Sequence, residues 1–319
     1  MIVDSFGRKI DYLRISLTDR CNLACRYCMP VKGLGMIPRS EILSFEELER
    51  IIEIFKNLGI KKFRFTGGEP LVRRGVLEFF ERLDLDNFYL TTNLVVPNLD
   101  IERLNNTGLS GINVSCDSLV REKYRYITRG GDLKTFLSNL ERLRVPVKLN
   151  VVVIRGFNDN EIRDFINFGV SHDITVRFIE KMNFRTESTF VEYESSESDF
   201  ISLSHMRNKL TEEGVLEEDV FSENNSVARY FRVKGKNVKV GFITHISNPF
   251  CNSCNRIRIK ANGELKLCLF DRRNYSLREL IRREKNDCVI GEMIKDLVMM
   301  KRKEPHYAVS NETAAEIGG

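Results

Sequence analysis

The sequence predicts an α/β chain whose first half builds a mostly parallel sheet and whose second half is smaller and mixed α+β. Three observations carry this. From residue 10 to about 180, short runs rich in β-branched and aromatic residues alternate with amphipathic helical stretches. After residue 183 that alternation stops. The 319 residues exceed what one ordinary domain needs, which predicts two, divided here as 1–183 and 184–319.

The strand-like runs are 10–17 (IDYLRISL), 61–66 (KKFRFT), 87–92 (NFYLTT), 111–116 (GINVSC), 147–154 (VKLNVVVI) and 174–179 (ITVRFI), none with an internal proline. The clearest helix is 45–58, where Leu48, Ile51, Ile52 and Phe55 follow i, i+3, i+4, i+7 spacing. Ser44 and Glu47 form a capping box at its start, and Gly59 ends it. Further helices are expected near 75–83, 100–107, 133–144 and 160–169. Six strands joined through helices pair in parallel with right-handed crossovers. Periodicity alone allows either a doubly wound sheet or an incomplete (β/α) barrel. Beyond residue 183 the sequence predicts a polar loop over 185–199, a helix over 204–214 and a hairpin of 228–233 and 237–243 turning at Gly235. A strand pair at 256–260 and 264–270, a helix near 276–284 and an Arg/Lys-rich end complete the chain.

Composition excludes two classes. Apolar residues at 42% and charged residues at 30% are not those of a disordered chain. No window approaches the ~18 uninterrupted apolar residues of a membrane span. The first nine residues contain no apolar signal-peptide stretch, so a reducing, cytoplasmic location is expected. Fifty Lys/Arg against 45 Asp/Glu leave a net charge of +5, too mild to imply nucleic-acid binding and compatible with a small anionic substrate.

Six of the eight cysteines fall in two groups of three. Cys21, Cys25 and Cys28 form a C-x3-C-x2-C run directly after the first strand. Three thiolates so close in sequence converge on one metal centre without closing a long loop. Structural zinc wants four ligands, and no fourth Cys or His lies nearby. A 4Fe–4S cluster on three cysteines keeps one iron open to a non-protein ligand, at the strand end where barrels place their chemistry. The plainer alternatives are three buried thiols or an incomplete zinc knuckle. Thr66-Gly67-Gly68-Glu69-Pro70 ends the second strand, with glycines that allow close backbone approach to a ligand. The second group, Cys251, Cys254 and Cys268, fits zinc if His245 or Cys288 completes it. It also fits a second three-cysteine cluster, with Arg256 and Arg258 beside it for an anionic ligand.

Four strands carry a cation inside an apolar run: Arg14, Arg64, Lys148 and Arg177. Covered parallel strands are ordinarily almost wholly apolar, and an unpaired buried cation is costly. Strand alternation puts Arg14 on a face with Ser16 and Thr18, Arg64 with Thr66, and Lys148 with Asn150. Faces that line a barrel lumen would aim these groups into one cavity suited to a polyanion such as a triphosphate. The alternative is that each cation pairs with a carboxylate or reaches solvent.

The C-x3-C-x2-C run, with Tyr27 before its last cysteine, and the GGEP turn together resemble the signature of radical S-adenosylmethionine (SAM) enzymes. A wider set of segments resembles one of their families, the GTP 3′,8-cyclases (MoaA) of molybdenum-cofactor biosynthesis. These are Phe6-Gly7-Arg8, the runs 13–21, 62–70 and 90–93, Asn113-Val114-Ser115, Lys148-Leu149-Asn150, 177–180, 251–258 and the terminal Gly318-Gly319. The likeness covers roughly 4–182 and 229–270 plus the tail. It implies an incomplete (β/α)6 barrel whose open side the C-terminal part closes. It implies two 4Fe–4S clusters, on Cys21, Cys25 and Cys28 and on Cys251, Cys254 and Cys268. SAM would be bound by Tyr27, Gly68, Ser115 and Met182, and GTP by Arg14, Arg64, Thr91, Lys148, Arg256 and Arg258. Arg14, Lys148, Arg177, Gly318 and Gly319 would serve catalysis. A 5′-deoxyadenosyl radical would take hydrogen from ribose C3′, and C3′ would join guanine C8. The resemblance further implies an electron donor, a cyclic pyranopterin monophosphate synthase to receive the product, a homodimer, and neither nucleic-acid nor membrane partners. Two departures are visible: Leu94 stands where the family often has glycine, and Cys116 follows Ser115 in place of an aliphatic residue.

Overall fold

The computed structural model describes residues 1–29, 35–182, 200–221, 227–304, 312 and 317. Two short strands, β1 (Ile2–Val3) and β2 (Lys9–Ile10), pair antiparallel at the N-terminus. Six strands follow in register with the sequence reading: β3 (Tyr12–Ser16), β4 (Lys62–Thr66), β5 (Phe88–Thr92), β6 (Gly111–Ser115), β7 (Val147–Val153) and β8 (Thr175–Glu180). They lie side by side in chain order, all parallel. The helices between them are α1 (Phe45–Asn57), α2 (Val76–Arg82), α3 (Ile101–Asn105), α4 (Arg121–Thr128), α5 (Leu133–Arg142) and α6 (Ile162–His172). This is the expected incomplete barrel of six β/α units.

The second half continues the same sheet. After α7 (Leu203–Glu212) come β9 (Leu216–Phe221), β10 (Arg229–Val233), β11 (Lys239–Ile243), β12 (Arg256–Ile259), β13 (Glu264–Lys266) and β14 (Tyr275–Ser276). Two helices, α8 (Leu277–Arg283) and α9 (Asp287–Met299), follow. β11 pairs parallel with β8 and β12 pairs parallel with β3, so the C-terminal strands extend both edges of the six-stranded unit. The result is one twelve-stranded sheet, ordered β14-β13-β12-β3-β4-β5-β6-β7-β8-β11-β10-β9. The expected hairpin is β10 and β11, turning where Gly235 takes φ +69°. The sequence reading did not anticipate α4, α9 or β9, and the loop expected over 185–199 lies outside the described residues. Among the described residues no helix is long and apolar enough to cross a membrane.

Local chemistry explains the helices that frame the site. The Ser44 hydroxyl accepts from the Glu47 amide at 3.1 Å, and the Glu47 carboxylate accepts from the Ser44 amide at 2.8 Å. The capping box is therefore complete, and Gly59 at φ +91° releases the chain from α1. Strand alternation sorts the sheet into two chemistries. Leu13, Ile15, Phe63, Phe65, Leu149, Val151, Val176, Phe178, Ile257 and Ile259 are buried in one hydrophobic core. There Phe65 meets Phe79, Phe80 and Phe88 at centroid separations of 5.2–6.1 Å. Burying each such ring stabilises the fold by about 1.5–3 kcal/mol. The intervening positions on the opposite face are polar, and they build the site.

Candidate functional site

Parallel register aligns Arg258, Arg14, Arg64 and Tyr89 across β12, β3, β4 and β5. One step toward the strand starts, Arg256, Tyr12 and Lys62 form a second row. Thr91, Asn113 and Lys148 align across β5 to β7, and Ser115, Asn150 and Arg177 across β6 to β8. Adjacent strands are about 4.8 Å apart, so the cations crowd one another. Burial and then the neighbouring Arg258 hold the Arg14 guanidinium well below the usual arginine range. Burial and then Arg256 bring Arg258 down to about 10. Burial also lowers Arg177.

Hydrogen bonds fix the row. The Arg64 Nε donates to the Tyr12 hydroxyl at 2.6 Å, and its Nη1 to the Leu90 carbonyl at 3.1 Å and Thr91 Oγ1 at 3.4 Å. Arg177 Nε donates to Asn150 Oδ1 at 2.9 Å. Lys148 Nζ is 3.4 Å from the Tyr230 hydroxyl, and Lys62 Nζ sits 4.4 Å from the Tyr89 ring centroid. Gly241, beside Arg177 in register, leaves the room they need: a Cβ there would lie 2.9 Å from the Tyr230 ring and 3.0 Å from Arg177 Cγ. Burial would raise the Tyr12 phenol, but Arg64, Arg14 and Lys62 outweigh it and bring it down to about 7. Sequence reasoning missed Tyr12 as a site residue.

The first triad follows β3 at its carboxyl end. The Cys28 and Met29 amides both donate to the Cys25 carbonyl at 2.9 Å, which curls the loop around Cys25. The Leu23 amide and Asn93 Nδ2 point at Cys21 Sγ, at 3.4 and 3.7 Å. Burial pushes the Cys21 thiol up to about 11, and burial with Cys28 and Asp117 raises Cys25 further.

The glycines beside this loop let the chain pack closely against itself. A Cβ on Gly68 would lie 2.3 Å from the Arg20 carbonyl oxygen, and one on Gly67 2.5 Å from that of Thr18. The Gly68 amide donates to the Thr18 carbonyl at 2.7 Å and the Glu69 amide to that of Arg20 at 2.8 Å. The close approach that glycine allows is thus to the chain's own 18–20 segment, which aims Cys21. Glu69 is buried and accepts from the Leu71 and Asn93 amides and the Thr92 hydroxyl at 3.0, 2.6 and 2.8 Å. Burial raises its carboxyl to about 7. Tyr27 donates to Asp117 Oδ2 at 2.7 Å, and Asp117 Oδ1 accepts from the Val152 amide at 2.8 Å. Ser115 ends β6 and Met182 lies two residues beyond β8, both half-buried at the carboxyl ends of their strands.

The second triad lies on the other side of the cationic row, in the loop before β12 and the turn after β13. The antiparallel pairing of β12 with β13, Arg258 opposite Lys266, brings the segment that carries Cys251 and Cys254 beside the one that carries Cys268. Lys301 and Arg256 overcome burial and hold Cys254 below the usual thiol range. Glu180, fully buried at the end of β8, accepts from the Leu203, Ile246 and Ser247 amides at 3.2, 3.0 and 2.9 Å. It thereby ties the barrel to the loop that leads to Cys251. Glu69, Asp117 and Glu180 were also missed, and their signal was a carboxylate at the carboxyl end of a barrel strand.

The donor sets fit iron–sulfur clusters. Each triad supplies three cysteines from one local stretch of the fold, and among the described residues no three His, Cys, Asp or Glu side chains meet at single-ion distances. His245 is buried between Phe250 and Phe270, at centroid separations of 6.0 and 5.7 Å, and Cys288 is exposed in the first turn of α9. Gly318 and Gly319 lie outside the described residues.

A thiol triad at the carboxyl ends of a partial barrel, beside a cationic lumen, defines a radical SAM enzyme. The family model described as Radical SAM superfamily matches residues 15–169, and that described as Molybdenum Cofactor Synthesis C matches 174–308. The chain belongs to the GTP 3′,8-cyclase family, and it is an enzyme that uses SAM and iron–sulfur chemistry. It is 41% identical to the GTP 3′,8-cyclase of Alkaliphilus metalliredigens over 99% of both chains. It is 40% identical to that of Peptoclostridium acidaminophilum, over 98% of this chain and 94% of the relative. Among solved structures, Streptococcus suis SuiB bound to SAM has a TM-score of 0.61 at 12% identity, covering 94% of this chain and 73% of that one. Native anSMEcpe with bound AdoMet has a TM-score of 0.55 at 18% identity, covering 86% and 81%. At those identities the likeness is one of fold.

Proposed function

We propose that the lumen between the two triads binds GTP for 3′,8-cyclisation, with Cys21, Cys25 and Cys28 holding one 4Fe–4S cluster and Cys251, Cys254 and Cys268 a second. The observation that carries this is the lateral row of Arg258, Arg14 and Arg64, three guanidiniums on one buried face with Lys148 and Arg177 on the same face. Such a concentration of positive charge on one face suits a polyanion. A cluster held by Cys21, Cys25 and Cys28 would supply, when bound and reduced, the electron for SAM cleavage, and the lumen residues would hold ribose C3′ and guanine C8 where the resulting radical chemistry could join them.

The chain's own residues bind, orient and shield. Arg14, Arg64, Lys148, Arg256 and Arg258 neutralise the triphosphate, and Thr91, hydrogen-bonded to Arg64, adds a hydroxyl. Arg177, oriented by Asn150, faces the ribose side of the site. Tyr27, Gly68, Ser115 and Met182 surround SAM at the strand ends. Tyr27 is anchored there by Asp117, and Gly68 acts by setting the course of the Cys21 loop. Gly318 and Gly319 would reach the site without side-chain bulk. The lumen walls exclude donors that would quench a radical. We further assign residues 1–183 to the barrel and 184–319 to the part that covers it. We read the protein as cytoplasmic and homodimeric, served by a separate electron donor, and passing its product to a cyclic pyranopterin monophosphate synthase.

The test is anaerobic. Protein reconstituted with iron and sulfide is given SAM and a reductant, and 5′-deoxyadenosine is measured with and without GTP. A strong GTP-dependent rise with cyclised nucleotide is expected. SAM cleavage indifferent to GTP, in protein with both triads filled, would overturn the substrate assignment.

A further inference from the structure

Two buried cations bracket the second triad without belonging to the cationic row. Arg8 follows the N-terminal turn, and its Nε pairs with Asp4 Oδ2 at 2.6 Å. Its Nη1 donates to the Cys251 carbonyl at 2.6 Å and its Nη2 to the Arg302 carbonyl at 2.6 Å. Lys301, 2% exposed, follows α9. Its Nζ donates to the Arg256 carbonyl at 3.0 Å and to the Leu267 carbonyl. Arg256 is two residues past Cys254, and Leu267 immediately precedes Cys268. The 301–303 segment is therefore a strap: one cation reaches from it to both cysteine-bearing segments, and its carbonyls receive the other cation. Both charges act on Cys251 and Cys254.

The two cations differ in one respect. Arg8 has the Asp4 carboxylate as counter-charge, whereas among the described residues Lys301 meets carbonyls only. A buried ammonium satisfied solely by carbonyls keeps its charge uncompensated, which costs several kcal/mol unless an anion lies close. A cluster ligated by three thiolates is such an anion, and positive charge and hydrogen bonding beside a cluster set its potential.

We propose that Arg8 and Lys301 are positioning residues for the second triad: together they fix the two segments that carry it, and the Lys301 charge raises the reduction potential of the cluster bound there. The inference rests on the second triad binding a cluster. It is tested in full-length protein whose Cys21, Cys25 and Cys28 are all alanine, so that iron retained per chain and the midpoint of an EPR-monitored titration report the second site alone. Lys301→Met is expected to lower the midpoint and to lose part of the iron. Lys301→Arg is expected to keep the midpoint near that of the background. Arg8→Met combined with Asp4→Asn should lose iron with a smaller midpoint shift, because the ion pair is removed without a change in net charge. A background that holds no iron sinks both the second cluster and this inference. A filled background in which Lys301→Met changes neither iron nor midpoint overturns the inference alone. Should Lys301→Met not fold, Arg8→Lys decides: reduced iron retention supports the clamp, and unchanged iron and midpoint overturn it.

Discussion

Arg258 lies directly beside Arg14 across the parallel ladder that joins β12 to β3, Arg258 buried and Arg14 half-buried on the lumen face. Two guanidiniums one strand apart repel each other, and no fold would keep them adjacent for stability alone. Arg258→Met should therefore leave the empty protein as stable as before, or make it more stable, while weakening GTP binding by roughly 10- to 100-fold, the worth of one charge-assisted contact. Chemical denaturation and equilibrium dialysis with GTP check the two halves. Weakened stability with unchanged GTP affinity would contradict the assignment.

Tyr12 should report on the same field. Its phenol ionises near 7 because Arg64, Arg14 and Lys62 outweigh its burial. The folded protein then binds fewer protons than the unfolded chain between about 7 and the usual 10.0, so stability rises with pH across that window. Tyr12→Phe should flatten this rise in urea titrations. GTP, by neutralising the cations, should move the phenol's ionisation upward in ultraviolet difference spectra.

Gly68→Ala should damage the first cluster rather than the fold. The added methyl meets the Arg20 and Asp19 carbonyl oxygens at 2.3 and 2.8 Å, and these backbone atoms can move only by shifting the Cys21 loop. Iron retained on the first triad should fall by at least half, with the unfolding midpoint little changed. Full iron retention would show that the loop gives way more easily than its geometry implies.

Leu94 holds φ +60° while fully buried. A left-handed conformation costs a side-chain-bearing residue about 1–2 kcal/mol that glycine avoids. Leu94→Gly and Leu94→Ala both lose the packed side chain, at roughly 2–5 kcal/mol. Glycine should nevertheless be the better tolerated by about 1 kcal/mol, the reverse of the usual order. Paired denaturation curves decide it.

Glu312 bridges Lys260 and Lys266, at 2.6 and 2.5 Å, and Lys266 shares the lumen face with Arg258. Glu312→Ala leaves the buried Lys266 ammonium without a carboxylate among the described residues, at a cost of roughly 3 kcal/mol, while Lys260 keeps Glu264 at 2.6 Å. Limited proteolysis followed by mass spectrometry should show the C-terminal segment cleaved earlier than in the parent. Equal cleavage rates would mean that the two lysines do not anchor it.

Much of this was legible in the sequence because the barrel strands are short, apolar on one face and punctuated by helices. The cations at 14, 64, 148 and 177 stood out for the same reason: a side chain that breaks an apolar alternation marks the face it breaks. The cysteine triads were legible from spacing alone. What escaped depends on distant pairing. Nothing local announces that β12 docks on β3, since Asn255 and Asp11 are bonded across 244 residues. The α4 segment buries only Tyr124, Ile127 and Thr128, residue types that favour strands as readily as helices. In α9 the apolar stripe of Ile290, Ile294 and Val298 was obscured by the basic residues around it. Glu69, Asp117 and Glu180 are picked out only by the donors that the fold brings to them.

The pairing of β12 with β3 also has a temporal side. During synthesis the lumen-facing edge of β3 emerges early and stays uncovered until nearly the whole chain has left the ribosome. Its unpaired amides and carbonyls invite other strands for all that time. The cysteines at 21, 25 and 28 follow that waiting edge in the chain, so they too are made long before the strand that pairs with it. The order in which the chain is made thus leaves this edge as the longest-waiting surface of the sheet.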